Sequence, residues 1–240
     1  MANQARKAIF FDVDDTLYDH MAPFRKAVWS WIPQGERAAF PFEQAYHRLR
    51  YYSDMLSLKL GGAGVMGDEL ASGMRRERFK LTLEEFGVAV SAEEAEEIQA
   101  AYLACQFDID MFPGARELLT QLQENGCIVG LITNGAEEHQ RQKIEAMGLH
   151  KLLPEDRIFI SGAAGWDKPD PRLFRHVNEL TGTLPGSSLY IGDSWRNDVI
   201  GALSAEWSVI WFNHRGAAPE SEHEPQHVAI CYDELMRLIL

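Results

Sequence analysis

Three carboxylates stand within four residues near the start of the chain, in the segment DVDDT at positions 12–16. This segment directly follows an apolar run of strand length. In an extended chain alternate residues project to the same side, so Asp12 and Asp14 would be neighbours and would repel unless a cation or a proton relieves them. Mg²⁺, a hard ion that takes oxygen ligands, is the natural relief. An acidic loop that caps the next helix is the alternative interpretation.

Three later segments offer a hydroxyl group, an ammonium group and two further carboxylates. Thr133 and Asn134 begin a turn after an apolar run, where a hydroxyl and turn amides could bind phosphate oxygens. Lys168 stands in a proline-flanked loop and offers a fixed positive charge. Asp193 and Asp198 flank the turn after another apolar run. Singly, these are a turn residue, a solvated lysine and helix N-terminal acids, but together they indicate a site.

The elements that must position these residues follow a regular alternation. Short apolar runs of strand length lie at 8–11, 128–132, 158–160, 189–191, 209–212 and, more weakly, 228–230. From the second run onward they are separated by amphipathic stretches at 115–124, 137–147, 171–180 and 198–206. This pattern predicts an α/β fold, a Rossmann-like parallel sheet with helices on both faces. Ligands bind beyond the carboxyl ends of strands in such sheets, where the four polar segments would converge.

A long stretch with no good strand candidate separates the first apolar run from the second, which is too long for a loop in a compact domain. Apolar residues at helical spacing between positions 42 and 56, and a capping box of Ser91 and Glu94, predict helices there. We therefore predict two domains. The catalytic core would comprise residues 1–17 and 109–240, and an inserted α-helical cap domain would comprise residues 18–108.

Two features of the predicted cap are singled out by composition. Glycines at positions 61, 62, 64 and 67 predict a loop between its helices. Arg75, Arg76, Arg78 and Lys80 form a dense basic cluster. We interpret this cluster as a solvated helix face, with contact to an anionic substrate as the alternative.

Composition excludes several classes of protein. The chain has 240 residues, is 46% hydrophobic and carries a net charge of −13, which argues for a globular protein and against extended binding to a nucleic acid polymer or an anionic membrane. Three cysteines without zinc-site spacing predict reduced thiols. The apolar run near the start of the sequence is too short for the core of a secretory signal, and no apolar stretch has membrane-spanning length. We therefore expect a cytoplasmic protein.

Together these motifs make the sequence resemble the haloacid dehalogenase-like hydrolases, in the phosphatase branch whose helical cap is inserted after the first strand. The four motifs of that family match in order, as Asp12-x-Asp14-x-Thr16, Thr133, Lys168, and Gly192-Asp193 with Asp198. The similarity spans nearly the whole chain, and it is specific in the core and weak in the cap.

The resemblance implies a catalytic role for each motif residue. Asp12 would be the nucleophile that takes the phosphoryl group as an aspartyl phosphate, and Asp14 would be the general acid and base. Thr133 and Lys168, with Asn134 beside them, would bind the phosphoryl oxygens.

The cofactor implied by the resemblance is Mg²⁺. Asp12, the backbone carbonyl of Asp14, and Asp193 would be its ligands. Asp198 would orient the site through water or act as a further ligand.

Asp14 favours phosphate chemistry, because a halide leaving group needs no acid whereas an alkoxide does. The expected function is a Mg²⁺-dependent phosphatase for a small phosphorylated metabolite, a nucleoside monophosphate or a sugar phosphate, acting as a monomer or homodimer. Alternatives are a phosphomutase of the same superfamily, a receiver-like phospho-aspartate signalling module, and a catalytically silent binding protein.

Overall fold

The computed structural model describes residues 7–59 and 68–240, so the glycine loop predicted at 61–67 lies outside the described residues. The strands are β1 (Ala8–Phe11), β2 (Ile128–Thr133), β3 (Ile158–Ile160), β4 (Ser188–Gly192), β5 (Ser208–Phe212) and β6 (His227–Ala229). They form one sheet in the order β3-β2-β1-β4-β5-β6, and all neighbours pair in parallel. The predicted α/β fold is confirmed.

From β2 onward, helices and strands alternate along the chain as predicted. In chain order they are α1 (Met21–Val28), α2 (Phe42–Lys59), α3 (Asp68–Glu85), α4 (Ala92–Cys105), α5 (Ala115–Glu124), α6 (Glu137–Ala146), α7 (Ser161–Ala164), α8 (Pro171–Thr181), α9 (Gly201–Ser204) and α10 (Tyr232–Ile239). Within the two described ranges, no helix is both long and apolar enough to cross a membrane.

The centre of the sheet determines where the polar loops leave it. All four residues of β1 are buried, as expected for a parallel sheet whose faces are covered by helices. Phe11, the last residue of β1, is in register with Leu131 of β2 and Ile191 of β4. The segments that follow these three strands therefore leave the sheet at the same edge.

Local capping explains the start of α8, the helix that follows the Lys168 loop. The Asp170 carboxylate accepts a hydrogen bond from the backbone N–H of Arg172 at 2.9 Å, and Pro171 occupies the first helical position. Gly182 ends the helix in the left-handed region with φ of 65°. These signals set the bounds of the helix and hold the preceding loop at its N-terminus.

The helix predicted at 198–206 begins earlier than expected. A π-helical segment, Trp195–Ile200, precedes α9. The backbone N–H of Val199 reaches the Ser194 carbonyl, five residues back, at 3.2 Å. This wider turn brings Asp198 fully into the interior.

The chain divides into two compact units. The core unit comprises the chain up to Asp19 together with Asp110–Leu240, and the helical unit comprises His20–Ile109. The helical unit contains α1–α4 and has its own aromatic core, which includes Phe24, Tyr46 and Phe79.

Two sequence expectations about the helical unit have different outcomes. The capping box of α4 is confirmed, because the side chains of Ser91 and Glu94 each accept a hydrogen bond from the other residue's backbone N–H. The interpretation of the basic cluster as a solvated face is wrong for Arg78. Its Nε atom is buried, because the side chain packs over Phe79 and Tyr102.

Candidate active site

The first and fourth polar loops are held against each other by hydrogen bonds at the carboxyl edge of the sheet. The backbone N–H of Asp12 donates to the Ile191 carbonyl at 2.9 Å. The backbone N–H of Asp193 donates to the Thr16 hydroxyl at 3.1 Å, and the Tyr232 hydroxyl donates to the Thr16 carbonyl at 2.6 Å. The carboxylates of both loops are thereby brought to one place.

Lys168 lies at the centre of this site. Its Nζ donates to Oδ1 of Asp12 at 2.6 Å, to Oδ1 of Asp198 at 2.7 Å and to the Tyr190 hydroxyl at 2.8 Å. Since an ammonium group has three N–H donors, all of them are used. The Tyr190 hydroxyl in turn donates to the Ile132 carbonyl at 2.6 Å. The buried cation is therefore fixed next to the Asp12 carboxylate.

Burial and the neighbouring charges shift the pKa values of the groups in this cluster. Burial raises the pKa of Asp12 to about 7, with Lys168 opposing this shift and the charges of Asp198 and Asp14 adding to it. Burial lowers the pKa of Lys168, but Asp12 and Asp198 outweigh it, so this pKa lies above its usual value. Burial, followed by the nearby carboxylates, raises the pKa of Tyr190 well above its usual value, so the phenol stays a neutral hydrogen-bonding group.

The second polar loop supports Lys168 from the backbone side. The Asn134 side-chain oxygen accepts from the Lys168 backbone N–H at 2.8 Å, and its amide nitrogen donates to the Lys168 carbonyl at 2.9 Å. Thr133 is buried at the end of β2, directly before Asn134. The Asn134 side chain thus positions the lysine loop, while its predicted role in phosphate binding stays a prediction.

The fourth loop depends on the absence of a side chain at Gly192. A Cβ at Gly192 would lie 2.3 Å from Oδ2 of Asp198. The same oxygen accepts from the Ser194 backbone N–H at 2.8 Å. Glycine is therefore required where β4 ends, because the Asp198 carboxylate folds back against the strand.

Asp14 is held by α6. Its two carboxylate oxygens each lie 2.8 Å from Nζ of Lys143, and Gln140 Nε2 and the Tyr18 hydroxyl donate to it at 3.2 Å and 2.6 Å. The Lys143 side chain is 2% exposed and that of Asp14 is 18% exposed. The candidate general acid and base therefore has a buried counter-ion of its own, separate from Lys168.

The sequence reasoning missed this support, although α6 contains a signal for it. The buried positions of α6 include Gln140, Lys143 and Ile144. Two polar residues therefore occupy positions where the helical period predicts apolar ones. Polar residues on the inward face of a helix that follows a site loop indicate such contacts.

Arg215 is a second missed residue, and it fixes the turn between the first loop and the helical unit. Its Nη2 lies 2.7 Å from Oδ1 of Asp15 and 2.6 Å from Oδ1 of Asp19. Asp15 is fully buried and has φ of 61°, in the left-handed region that disfavours side chains. The ion pair compensates the buried charge of Asp15 and holds the turn that follows Asp14.

The carboxylates at the centre fit a divalent cation. Asp12, Asp193 and Asp198 each offer one oxygen, and these oxygens lie within 4.8 Å of one another. Three carboxylates against the single ammonium of Lys168 leave two negative charges, which a divalent ion would balance. Oxygen donors are the ligands that Mg²⁺ prefers. The donor set and the charge balance therefore fit the expected cofactor.

This fold and this site agree with a family match. The chain matches the family described as haloacid dehalogenase-like hydrolase over residues 6–206. Since the match covers most of the chain, the protein belongs to the haloacid dehalogenase-like hydrolases, as the motifs implied.

Individual relatives agree with this membership, and a solved structure shares the fold. Phosphoserine phosphatase of Thermus thermophilus is 36% identical over 152 residues, which are 62% of this chain and 58% of that protein. Glyceraldehyde 3-phosphate phosphatase of Methanothermobacter thermautotrophicus is 28% identical over 224 residues, 90% of each chain. The HAD-hydrolase YfnB of Bacillus subtilis, solved bound to magnesium, has the same fold, with a TM-score of 0.71 and 22% identity over 98% of this chain and 99% of that one. The family match and the phosphatase relatives together support an enzyme that hydrolyses phosphomonoesters.

Proposed function

We propose that this protein is a Mg²⁺-dependent phosphatase that hydrolyses a small phosphomonoester through an aspartyl phosphate on Asp12. One observation carries the proposal. Nζ of Lys168 lies between the buried carboxylates of Asp12 and Asp198, at 2.6 Å and 2.7 Å, and Asp193 completes a set of oxygens for a cation. This arrangement supports a nucleophile, a fixed positive charge and a divalent-ion site lying together, as phosphoryl transfer requires.

The reaction would use two attacks at phosphorus. In the first, a carboxylate oxygen of Asp12 bonds to phosphorus while the bond to the ester oxygen breaks, and Asp14 supplies a proton to that oxygen. In the second, water loses a proton to Asp14 and bonds to phosphorus while the bond between phosphorus and the Asp12 oxygen breaks, which releases phosphate and restores the Asp12 carboxylate and the protonated Asp14. Lys168 and Thr133 would contact the phosphoryl oxygens, whose negative charge they stabilise.

The cation would be held by Asp12 and Asp193, with the Asp14 backbone carbonyl and Asp198 completing the site. When bound, it supplies positive charge that neutralises the phosphoryl group and orients it for in-line attack. The protein contributes the arrangement of carboxylates before any substrate arrives.

The proposal also names a class of substrate. The named relatives are phosphatases of phosphoserine and glyceraldehyde 3-phosphate, which supports a small phosphorylated metabolite. A nucleoside monophosphate or a sugar phosphate is the preference from the sequence. We propose that the helical unit is the cap that selects among such esters. The cytoplasmic location and the oligomeric state stay predictions.

A panel assay tests the function. The purified protein is incubated with phosphoserine, glyceraldehyde 3-phosphate, nucleoside monophosphates and sugar phosphates, and the release of inorganic phosphate is ranked by kcat/KM. EDTA should abolish the release and excess Mg²⁺ should restore it. Isomerised product without free phosphate would favour the phosphomutase, and a long-lived phosphoprotein without turnover would favour the signalling module. No hydrolysis of any ester would refute the proposal.

A further inference from the structure

Arg78 on α3 is a cation of the helical unit whose hydrogen bonds and ring contacts with the described residues all involve uncharged groups. Its Nη1 donates to the Ser53 hydroxyl at 3.1 Å and its Nη2 donates to Oε1 of Gln99 at 3.3 Å. The guanidinium carbon lies 5.2 Å from the centroid of the Phe79 ring and 5.4 Å from that of Tyr102. Among the residues that the structure describes, no carboxylate forms an ion pair with it.

Two hydrogen-bond donors at this position have no acceptor. Nε of Arg78 and Nε2 of Gln99 are both buried, and neither has a hydrogen-bond partner among the described residues. The contact of Gln99 Oε1 with Arg78 assigns the amide orientation, because an amide nitrogen could not accept that bond. Buried donors without acceptors are costly and rare, so their natural complement is a ligand that presents acceptors alone.

The charge of the site points to the same ligand. Burial lowers the pKa of the Arg78 guanidinium, Tyr102 opposes this shift, and the positive charge of Arg75 adds to it. A guanidinium nevertheless keeps its proton at physiological pH. Buried charges are normally paired, but none of the carboxylates that the structure describes is paired with this cation.

Arg76, on the same helix, shows what a solvated arginine of this cluster does. Its Nη1 pairs with Oε2 of Glu96 at 3.1 Å, and its side chain is 41% exposed. Lys80 likewise reaches Glu84, at 3.9 Å near the surface. Arg78 departs from this pattern, because no acid among the described residues pairs with it and its Nε atom is buried.

We propose that Arg78 and Gln99 form an anion-binding site within the helical unit, whose ligand presents the oxygens of a carboxylate or phosphate group. A planar guanidinium binds such groups through two parallel N–H donors, and the Gln99 amide adds a third donor beside them. The anionic group is carried by the substrate, in addition to its phosphoryl ester, or it belongs to a free small anion. The two sources make the same contacts and are separated by experiment.

The kinetic arm of the test rests on the proposed phosphatase activity. Phosphomonoesters that differ in one acidic group are compared in pairs: 3-phosphoglycerate with glycerol 3-phosphate, and phosphoserine with phosphoethanolamine. If the substrate carries the anion, Arg78→Met should lower the ratio of kcat/KM between the ester with a carboxylate and its partner without one. The expected decrease is about 10- to 100-fold, which corresponds to the free energy of one hydrogen bond to a charged group. Arg76→Met is the matched control and should leave this ratio unchanged.

The binding arm uses the full chain and does not depend on catalysis. D-glycerate, compared with glycerol, should raise the thermal unfolding midpoint of the wild-type protein and of Arg76→Met, but not that of Arg78→Met. Without any anion, Arg78→Met should stay close to the wild type in stability, because the apolar side chain can keep the packing on Phe79 and Tyr102 and leaves no cation without an ion-pair partner. Arg78→Lys keeps the charge but lacks the planar fork, so it should retain a reduced preference for carboxylates.

The two measurements distinguish an anion carried by the substrate, a free anion and a purely structural role of Arg78. A lost kinetic ratio assigns the anion to the substrate, and a lost thermal shift with an unchanged ratio assigns it to a free anion; either result supports the site. If Arg78→Met changes neither quantity, or if it unfolds and Arg78→Lys retains every wild-type property, the site is refuted and Arg78 is structural. If the wild type hydrolyses no ester, the proposed function fails, and the binding arm still decides the role of Arg78.

Discussion

Replacement of Lys143 by methionine tests whether α6 positions the general acid and base. Methionine fills most of the space of the lysine stem and removes its charge. The variant loses both 2.8 Å contacts to Asp14, while the contacts from Tyr18 and Gln140 remain. The perturbation is therefore confined to the orientation and the charge partner of one carboxylate.

The expected loss of stability follows from the burial of the pair. Breaking a buried ion pair from one side costs about 3–5 kcal/mol. Asp14 keeps two neutral partners and its side chain is 18% exposed, so hydration recovers part of this cost. The free energy of unfolding should fall by about 2–3 kcal/mol. Urea denaturation at fixed Mg²⁺ measures it, with Lys151→Met, at an exposed position, as the control.

The kinetic effect should depend on the leaving group. kcat/KM reports the steps up to departure of the alcohol, and proton donation helps a poor leaving group far more than p-nitrophenolate. For an alkyl phosphate, kcat/KM should fall roughly 10- to 100-fold, a part of the 10²- to 10⁴-fold that general acid catalysis supplies. For p-nitrophenyl phosphate the fall should be within about threefold.

Equal losses with both esters would refute the positioning role, since a merely structural defect lowers the two values together. An unchanged kcat/KM for the alkyl ester would refute it as well. Wild-type stability of Lys143→Met would show that the charge pair with Asp14 is not formed in solution.

Three further predictions concern the rest of the site. Lys168→Ala should lower kcat by on the order of 10²- to 10³-fold in phosphate release, the usual effect of removing one preorganised charge-stabilising donor. Gly192→Ala should raise the Mg²⁺ concentration needed for half-maximal activity, measured by titration, because the new Cβ would displace the Asp198 carboxylate, 2.3 Å away. Arg215→Met should lower the free energy of unfolding by about 3–5 kcal/mol in urea denaturation, because the fully buried Asp15 loses its cation.

A control variant and defined contrary results make these three predictions testable. Arg196, paired with Glu220 at 3.5 Å on the surface, is the control for Arg215, and its replacement by methionine should change stability by less than about 0.5 kcal/mol. Equal effects at both arginines would contradict the burial argument. An unaltered Mg²⁺ titration at Gly192→Ala, or near-normal turnover at Lys168→Ala, would contradict the geometry of the central cluster.

The convergence of the site could be predicted from sequence because it follows from topology. Asp12, Thr133 and Asp193 each stand at or just after the carboxyl end of a strand, and a parallel sheet brings such ends to one edge. The residue types then suffice to suggest a cation and a phosphoryl group. Helix bounds were predictable where caps are local, as at Ser91 and Pro171.

Apart from the inward polar residues of α6, the supporting contacts could not be predicted, because their partners are distant in the chain. In the sequence, Tyr190 is only one residue of an apolar run, yet its hydroxyl accepts a hydrogen bond from Lys168. Arg215 stands in a polar loop and pairs with Asp15 across the fold. Arg78 shares its local pattern with Arg76, and only the packing of α2–α4 separates the buried one from the solvated one.

The covalent step at Asp12 is the claim on which the catalytic account depends, and a rapid-quench experiment with a ³²P-labelled ester tests it most directly. Acid quenching in the first turnover should trap a labelled protein that hydroxylamine cleaves, and peptide mapping should place the label on Asp12. The Asp12→Asn variant should bind the ester and form no labelled protein. Label on any other residue, or phosphate release by the wild type with no labelled protein formed, would contradict the account.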